Sequence, residues 1–368
     1  MTSKPHRFHD RKLEEMARIA ADLRATNMAN GGPYLSVQSY LGMNKEATRG
    51  TAPSWTNGSA VWIPVNPNPQ LTPTLTWQTD DSLRGSPVDV YDDILLTNYS
   101  KYDFKGYVFA DTVVPLLLGT LGGPDTVSGT VAPYSHYIPL LNDPESGSQP
   151  PSFTVADVDL IEESGYTDNA KQMTDGQMMS FALDFTATGA LNYTASLLGQ
   201  SFTEIVKPTA SWSTEALIPA YNGVITFGGT QSFVVTKGTL MIDRKTAPIF
   251  TVGSINSQYG GANPFRLFAG AITVTGTFEF LALADDQTML QGLTYDKQVV
   301  TTQFTDQFLG HSIYFQFDKV QFKNPKVMRD QPYVRVTTDF SAEANPTDAV
   351  TGFSPMFARA INGISTAY

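Results

Sequence analysis

The sequence predicts a mainly β protein that contains two copies of one strand–helix unit, short helices and an N-terminal helical arm. Many stretches alternate between apolar and polar side chains, as strands with one buried face do. The order of these stretches in the second half of the chain matches their order in the first half. We therefore divide the chain into an arm at residues 1–32, a first copy at residues 33–205 and a second copy at residues 206–368.

The N-terminal arm differs from the rest because its apolar side chains recur at spacings of three and four, as on one face of a helix. Asp10 is a suitable N-cap, and Gly31 and Gly32 end the pattern. Such a helix either folds back on its own domain or docks on a neighbouring subunit. In the second case, the residues expected to make the subunit contact are Leu13, Met16, Ala20 and Leu23.

The first copy begins with strand-like alternation, interrupted by prolines at positions 64–73 that exclude a central strand there. A strand centred on Gly106 leads through Asp111 into an apolar helix that ends at Gly122 and Gly123. Residues 124–151 are rich in Gly, Ser and Pro and are predicted to form a long loop. Further strands are expected at 153–160, 178–185 and 191–198, with a hairpin turn at residues 188–189.

The second copy contains the clearest alternating stretch, residues 271–283, followed by a short helix predicted at 286–293 with Asp285 and Asp286 as its N-cap. Other strands are expected at 233–242, 299–304, 311–317 and 332–338. The spacing of Gly276 and Gly106 suggests that the two strand–helix units are duplicates. In the alternating stretch one face carries Ile272, Val274, Phe278 and Phe280, and the other carries Thr273, Thr275, Thr277 and Glu279.

The composition excludes several function classes. The chain has 368 residues, of which 24 are basic and 35 acidic, and this charge disfavours nucleic-acid gripping, which needs a basic surface. Only 16% of residues are charged, against roughly 25% in typical soluble chains, so much of the outside is expected to face other protein. Cysteine is absent, which excludes disulfides and thiolate sites. The longest apolar run, residues 113–121, is too short for a membrane span, and the polar N-terminus predicts synthesis in a cytoplasm.

No stretch of the sequence indicates a catalytic site, a metal site or a cofactor site. His6 and His9 have a spacing that could bind a metal, but solvated terminal histidines explain them as well. Asp157 and Asp159 could serve acid–base chemistry or bind calcium, yet an exposed acidic strand face is the simpler interpretation. Most of the aromatic residues fall at alternating apolar positions and are expected in the core. Trp55, in a loop, is the exception and a candidate for a subunit contact.

Residues 42–53 read Gly-Met-Asn-Lys-Glu-Ala-Thr-Arg-Gly-Thr-Ala-Pro, and this stretch resembles the opening of tail tube proteins from long-tailed, non-contractile bacteriophages. The Leu-Arg-Gly turn at 83–85, the Gly106 strand with its following helix, and the hairpin at 176–199 resemble the same family. The order of these motifs, rather than any one of them, carries the resemblance, which covers roughly residues 35–365. The N-terminal arm has no counterpart in it.

The resemblance implies a duplicated two-sheet β-sandwich or barrel whose inner sheets join across subunits, which removes free sheet edges. Rings of six tube folds, formed by three duplicated chains or by six chains, would stack into a tube. Its partners would be other copies, other tail proteins and the double-stranded DNA that passes through without specific binding. The protein would be made in the host cytoplasm and belong to the virion tail, with no membrane, cofactor or catalytic residue.

A wall that lets DNA slide must not hold phosphates through Lys or Arg. The polar face of residues 271–283 has the required hydroxyls and carboxylate, so it is expected either to border the channel or to face solvent or another sheet. Two other functions stay open: a carbohydrate-binding or depolymerase β-sandwich protein of a virion, and a capsid decoration protein. The candidates for the channel face are Thr273, Thr275, Thr277 and Glu279.

Overall fold

A computed structural model describes residues 34, 36–55, 59–67, 69–82, 84–85, 87–141, 149–160, 169–232, 234–255, 260–282, 297–344 and 354–368. The described part is mainly β, which confirms the predicted class. The arm at residues 1–32 and the helix expected at 286–293 lie outside the described residues and stay predictions.

Among its described residues, the first half of the chain contains ten strands, a short 3-10 helix at Ser36–Gln38 and one α-helix, α1 (Val114–Leu121), between its fourth and fifth strands. Gly122 ends α1 in the left-handed conformation, and its N–H donates to Leu118 O, as the sequence predicted for a C-cap. The strands are β1 (Tyr40–Lys45), β2 (Val61–Ile63), β3 (Gln70–Asp80), β4 (Asp92–Tyr107), β5 (Thr126–Ser128), β6 (Tyr134–Pro139), β7 (Phe153–Asp159), β8 (Asn169–Thr186), β9 (Asn192–Gly199) and β10 (Thr203–Glu204).

The second half contains a 3-10 helix at Ala220–Asn222 and eight strands among its described residues. Several are longer than the apolar alternation indicated, because their ends extend past the core as hairpins. The strands are β11 (Gly223–Phe227), β12 (Thr230–Ser232), β13 (Val235–Ile249), β14 (Arg266–Leu281), β15 (Gln298–Thr305), β16 (Ser312–Met328), β17 (Arg335–Ala342) and β18 (Met356–Asn362).

Two sequence predictions about strands are wrong. Residues 124–151 are not one long loop, because they contain the β5–β6 hairpin, and β6 pairs along its length with β18. The strand series does not end near residue 338, because β18 follows it. Both β6 and β18 were missed because small or polar side chains, His136, Ala358 and Ala360, interrupt the apolar alternation at their buried positions.

Eight strands form one open antiparallel sheet in the order β3-β4-β9-β8-β13-β14-β17-β16. We call it the main sheet; β8 contributes residues 177–186 to it, and β16 contributes residues 320–328. Pro73 lies in β3, which pairs only with β4 among the described residues, so the prediction that the proline-rich stretch forms no central strand holds within the chain.

The main sheet packs against two further sheets because β8 and β16 each bend and continue into one of them. The first part of β8 belongs to a sheet in the order β2-β1-β7-β8-β10. The first part of β16 belongs to a sheet in the order β12-β11-β15-β16-β18-β6-β5. Phe181, Phe278 and Phe315 lie buried between the layers, and the rings of Phe278 and Phe340 stack at 5.0 Å. The sandwich expected from the sequence is therefore present.

The two halves share one strand-pairing order. In the first half it is β3-β4-β9-β8-β7-β1-β2, and in the second half it is β13-β14-β17-β16-β15-β11-β12. In addition, β10 pairs with β8 as β18 pairs with β16. This agreement is what a duplicated unit would produce, although the copy boundaries given above stay a prediction.

The two strand glycines are not equivalent, contrary to what their spacing suggested. Superimposing the pairing orders places Ser100 on Val274, and Gly106 then corresponds to Phe280 rather than to Gly276. Each glycine makes room for an aromatic ring. A Cβ on Gly276 would lie 2.5 Å from a ring atom of Phe340, and a Cβ on Gly106 would lie 2.9 Å from a ring atom of Tyr193.

Candidate functional site

The main sheet has two edges without a strand partner among the described residues. One edge is β3, which pairs with β4 only, and the other is residues 322–328 of β16, which pair with β17 only. Lys323, Lys326 and Val327 on the second edge are exposed. Unpaired edges of this kind are templates for pairing with another chain.

The face of the main sheet that points away from the core is rich in hydroxyl groups. Thr273 and Thr275 are exposed there, and Thr277 and Glu279 are half-buried, so all four channel candidates lie on this one face as the alternation predicted. The hydroxyl oxygens of Thr277 and Thr239 on the neighbouring strand lie 2.9 Å apart. The face is therefore polar and held by cross-strand hydrogen bonds.

Two of the basic side chains on this face have carboxylate partners, whereas Lys105 and Lys237 are exposed there without an ion pair among the described residues. Lys101 Nζ lies 2.8 Å from Asp103 Oδ2 on the same strand. Arg335 donates to Glu279 at 2.8 Å and to Asp330 at 2.6 Å, and its hydrogen bond lowers the pKa of the Asp330 carboxyl below the ordinary value. These pairs reduce the net positive charge that the face presents.

The pairing of β8 with β13 joins the two halves of the chain, and we call it the within-chain seam. Its register places Leu183 opposite Leu240 and Ala182 opposite Met241. The β13–β14 hairpin continues past the main sheet onto the first half. There Arg244 donates to the carbonyl of Thr120 at the end of α1 at 3.0 Å.

A buried polar network lies beside this hairpin, and it uses the motif at residues 42–53. Arg49 donates to Leu267 O on β14 and to Pro150 O, both at 2.9 Å. Glu46, which is 7% exposed, accepts four hydrogen bonds from neighbouring segments. Sequence reasoning used this motif only for the resemblance and gave no role to either side chain. The donors to Glu46 are Gly50 N, Ser152 Oγ, Thr154 Oγ1 and Asp175 N, at 2.6–2.8 Å.

Asp175 is the centre of this network. Its Oδ2 accepts the N–H of Leu267 at 3.2 Å, and its Oδ1 lies 3.6 Å from Arg49 Nη1. Burial raises the pKa of the Asp175 carboxyl to about 6, and the opposing effect of Arg49 does not cancel that rise. This network stabilises the position of the second half's hairpin on the first half.

The subunit-contact candidates have different outcomes. Leu13, Met16, Ala20 and Leu23 lie outside the described residues. Trp55 is half-buried against its own chain, where Nε1 donates to Gln172 Oε1 at 3.2 Å and its ring lies 5.8 Å from that of Trp62. A subunit contact by Trp55 stays a prediction.

The acidic pair on β7 does not form an exposed face, contrary to the simpler sequence interpretation. Asp157 accepts a hydrogen bond from the buried hydroxyl of Tyr102 at 3.1 Å, and burial raises the pKa of its carboxyl to about 6. Asp159 accepts hydrogen bonds from Ser39 and Asn169. Both carboxylates are thus tied into the fold by neighbouring side chains.

Other buried titratable groups lie near the C-terminal strand. His136 Nδ1 is 2.8 Å from Asp125 Oδ2. Burial disfavours the imidazolium, but the hydrogen bond and the charge of Asp125, together with hydrogen bonds to Ile364 and Asn362, outweigh this effect and raise the pKa of His136. Burial also raises the pKa of Glu215 to about 7. In the part of the chain that the structure describes, no group of three or more His, Cys, Asp or Glu residues is placed to hold a metal ion.

Comparison with known proteins identifies a family. A family model described as phage tail tube protein matches residues 36–342, which is most of the chain. A search of curated proteins found no match. Within the described residues, no helix is long and apolar enough to cross a membrane.

Proposed function

We propose that this chain, which belongs to the phage tail tube protein family, is the major tail tube subunit and that its rings stack into the channel for phage DNA. Family membership indicates a structural component of the virion tail, which assembles with itself and with other tail proteins, rather than an enzyme. The observation that carries the proposal is the open main sheet, whose two edge strands each have a strand partner on one side only among the described residues.

The strand arrangement favours three chains in a ring. Both halves contribute four strands to one continuous sheet, so three chains supply six such four-stranded units. A closed barrel of three times eight strands, spaced about 4.8 Å apart and tilted about 40°, has a backbone diameter of about 45–50 Å. The alternative from the sequence analysis, a ring of six chains, would be expected if only one half of each chain joined the inner sheet.

The polar face of the main sheet is the face we assign to the channel. Its opposite face packs against the other two sheets and is buried, so a closed barrel would enclose the hydroxyl-rich side. Thr273, Thr275, Thr277 and Glu279 offer DNA phosphates no cation, and Lys101 and Arg335 are paired with carboxylates, although Lys105 and Lys326 are also exposed on this face. DNA would then meet less of the salt-dependent attraction that unpaired Lys and Arg side chains create.

Electron microscopy of the purified full-length protein, combined with native mass spectrometry, tests this function. We expect tubes or rings in which each ring contains three chains. A mass of six chains per ring would leave the tube function intact and overturn the trimer. A stable monomer at high concentration that forms neither rings nor tubes would overturn both.

The N-terminal arm is proposed to dock on an adjacent subunit or ring, because a short isolated helix needs an apolar surface to hold it. Deleting residues 1–30 should impair tube formation more than it impairs folding, as measured by microscopy and by thermal unfolding. Normal tubes from the truncated protein would contradict this role for the face formed by Leu13, Met16, Ala20 and Leu23.

A further inference from the structure

The within-chain seam provides a template for the contact between chains. Superimposing the two pairing orders places β3 on β13, and places residues 320–328 of β16 on the part of β8 that pairs with β13. A register shift at the matching position of the two hairpins supports this correspondence. In the β3–β4 hairpin the shift lies between Thr76 and Trp77, and in the β13–β14 hairpin it lies between Arg244 and Thr246.

We propose that the seam between two chains reproduces the within-chain seam, with β3 of one chain antiparallel to β16 of the next. In this register Leu71 lies opposite Val327 of the next chain and Thr72 lies opposite Lys326. The proposal rests on the tail tube function above and adds to it the identity and register of the contacting strands. All eight strands of the main sheet are antiparallel to their neighbours, so this pairing continues the sheet without a break in direction.

The side chains at these positions suit the contact. Leu71 and Val327 correspond to Leu240 and Leu183, which are 4% and 1% exposed in the within-chain seam. Val327 is 37% exposed in the isolated chain, and Leu71 is half-buried against the core. Pairing in this register would cover both side chains. Pro73 lacks an N–H, so the seam would have at most one donor fewer at that residue.

The end of the β3–β4 hairpin extends the same surface. It carries four exposed apolar side chains where the corresponding β13–β14 hairpin uses polar contacts to the first half. Leu75 corresponds to Arg244, and Trp77 corresponds to Thr246, whose hydroxyl donates to Met178 O. The second half of the next chain is the surface that would cover this hairpin end. The four side chains are Leu75, Trp77, Ile94 and Leu96, each 43–56% exposed.

The absence of cysteine from the chain permits a direct test by disulfide formation. The double variant Thr72→Cys with Lys326→Cys places two thiols opposite each other on the polar face, where the core is untouched. Assembled tubes are oxidised and separated on a denaturing, non-reducing gel. We expect cross-linked dimers and trimers from the double variant and none from either single variant.

Two further cysteine pairs serve as the positive and the negative control. Ala182→Cys with Met241→Cys occupies the same position in the within-chain seam, so it should cross-link inside one chain with or without assembly. Thr72→Cys with Gln321→Cys is out of register and should give little product. Should the first variant fail to assemble, Gln70→Cys with Met328→Cys tests the same register two residues further along β3.

The outcomes separate this register from the tube function. Normal tubes in which Thr72→Cys with Lys326→Cys stays uncross-linked, while the out-of-register pair reacts, would overturn the register and leave the tube intact. Cross-linking by Thr72→Cys alone would show that β3 pairs with β3 of another chain and would also overturn it. Failure of the unaltered protein to form rings would overturn the tube function itself.

Discussion

The two halves of the chain differ most in the connection that follows their first strand. In the first half, the segment between β1 and β2 carries Glu46 and Arg49, which form the buried network around Asp175. In the second half, the matching connection between β11 and β12 is a tight turn of Gly228 and Gly229, both of which have positive φ. One half therefore holds a hairpin through buried polar groups, and the other has no such network at the matching place among its described residues.

The buried network is a contact made while one chain folds, whereas the proposed β3 contact is made when two folded chains assemble. A buried polar network forms reliably when both partners belong to one chain, because unsatisfied groups in it are costly. A surface that binds another chain must first be soluble in water. The β3 edge, whose one charged residue is Asp80 and which carries a few apolar side chains, meets that requirement. The four predictions below test the contrast between the two seams.

The largest expected effect is a loss of folding stability when the buried polar network around Glu46 and Asp175 is disrupted. Replacing Glu46 with alanine, Glu46→Ala, removes the acceptor of four buried hydrogen bonds and leaves Arg49 with one carboxylate fewer nearby. We expect a loss of about 3–5 kcal/mol in the free energy of unfolding, measured by urea denaturation of the unassembled protein.

Glu343→Ala is the matched control because Glu343 makes an exposed ion pair with Lys297 in the second half. That change should cost less than about 1 kcal/mol. Equal losses in the two variants would mean that the Glu46 network does not stabilise the first half, and the contrast drawn above would then fail.

The second prediction concerns pH. The pKa of Asp175 is raised to about 6 in the folded chain, so the folded state binds this proton more tightly than the unfolded state does. The stabilising effect of the bound proton is therefore complete below about pH 4 and is lost as the pH rises through 6. Asp175→Asn should remove a dependence on the order of 1–3 kcal/mol between these limits.

The measurement is the difference in unfolding free energy between the unaltered chain and Asp175→Asn at several pH values. The difference should change between pH 4 and 7 and be constant above that range. Asp157 also has a pKa raised to about 6, so its own contribution remains in both proteins and cancels in the difference. A difference that is constant throughout would contradict the burial argument for Asp175.

The third prediction concerns the hairpin end. Trp77 is 54% exposed. Trp77→Ser should therefore change the free energy of unfolding of the monomer by no more than about 0.5–1 kcal/mol. Tube yield at low protein concentration should nevertheless fall, since the apolar contact to the next chain is lost. Val206→Ser, at a residue that is 92% exposed elsewhere, should leave yield unchanged. Equal tube yields in the two variants would contradict the docking of this hairpin.

Sequence reasoning predicted the features that depend on local pattern. The alternation of residues 271–281, the glycine stop after α1 and the buried aromatic residues follow from periodicity and backbone freedom, and the structure has all of them. It missed β6 and β18, because small or polar side chains such as Ala360 and His136 occupy some of their buried positions and interrupt the apolar alternation.

The network could not be predicted because it joins segments distant in sequence. Glu46 lies beside Asp175 only after β1, β7 and β8 have paired, and neither residue forms a local motif with the other. The duplication was inferred from the matching order of the alternating stretches and from a glycine spacing. The spacing has no structural counterpart, while the pairing order that supports the duplication depends on the register of many strands. Local sequence patterns thus predict most of the strands, whereas the contact between the two halves depends on long-range strand pairing.

The last prediction compares the two halves on the proposed channel face, and its expected effect on stability is the smallest. Thr275 corresponds to Lys101, and Thr277 corresponds to Asp103, so the first half carries a neutralised ion pair where the second half carries hydroxyls. Thr275→Lys adds a cation without its carboxylate. Because the side chain points away from the core, the free energy of unfolding should change by about 0.5 kcal/mol or less.

In the assembled tail, that unpaired lysine would attract DNA phosphates around every ring. Genome ejection from phage carrying Thr275→Lys should therefore slow, and should slow most at low salt, where a phosphate contact is strongest. Thr275→Lys with Thr277→Asp rebuilds the pair found on the first half and should restore ejection, although it has the same added lysine. A restored ejection rate would show that the unpaired charge of the added lysine, and not the size of its side chain, slows the DNA. If both variants ejected DNA at the unaltered rate at low salt, this face would not border the channel, and the hydroxyls of the second half would face another surface of the tail.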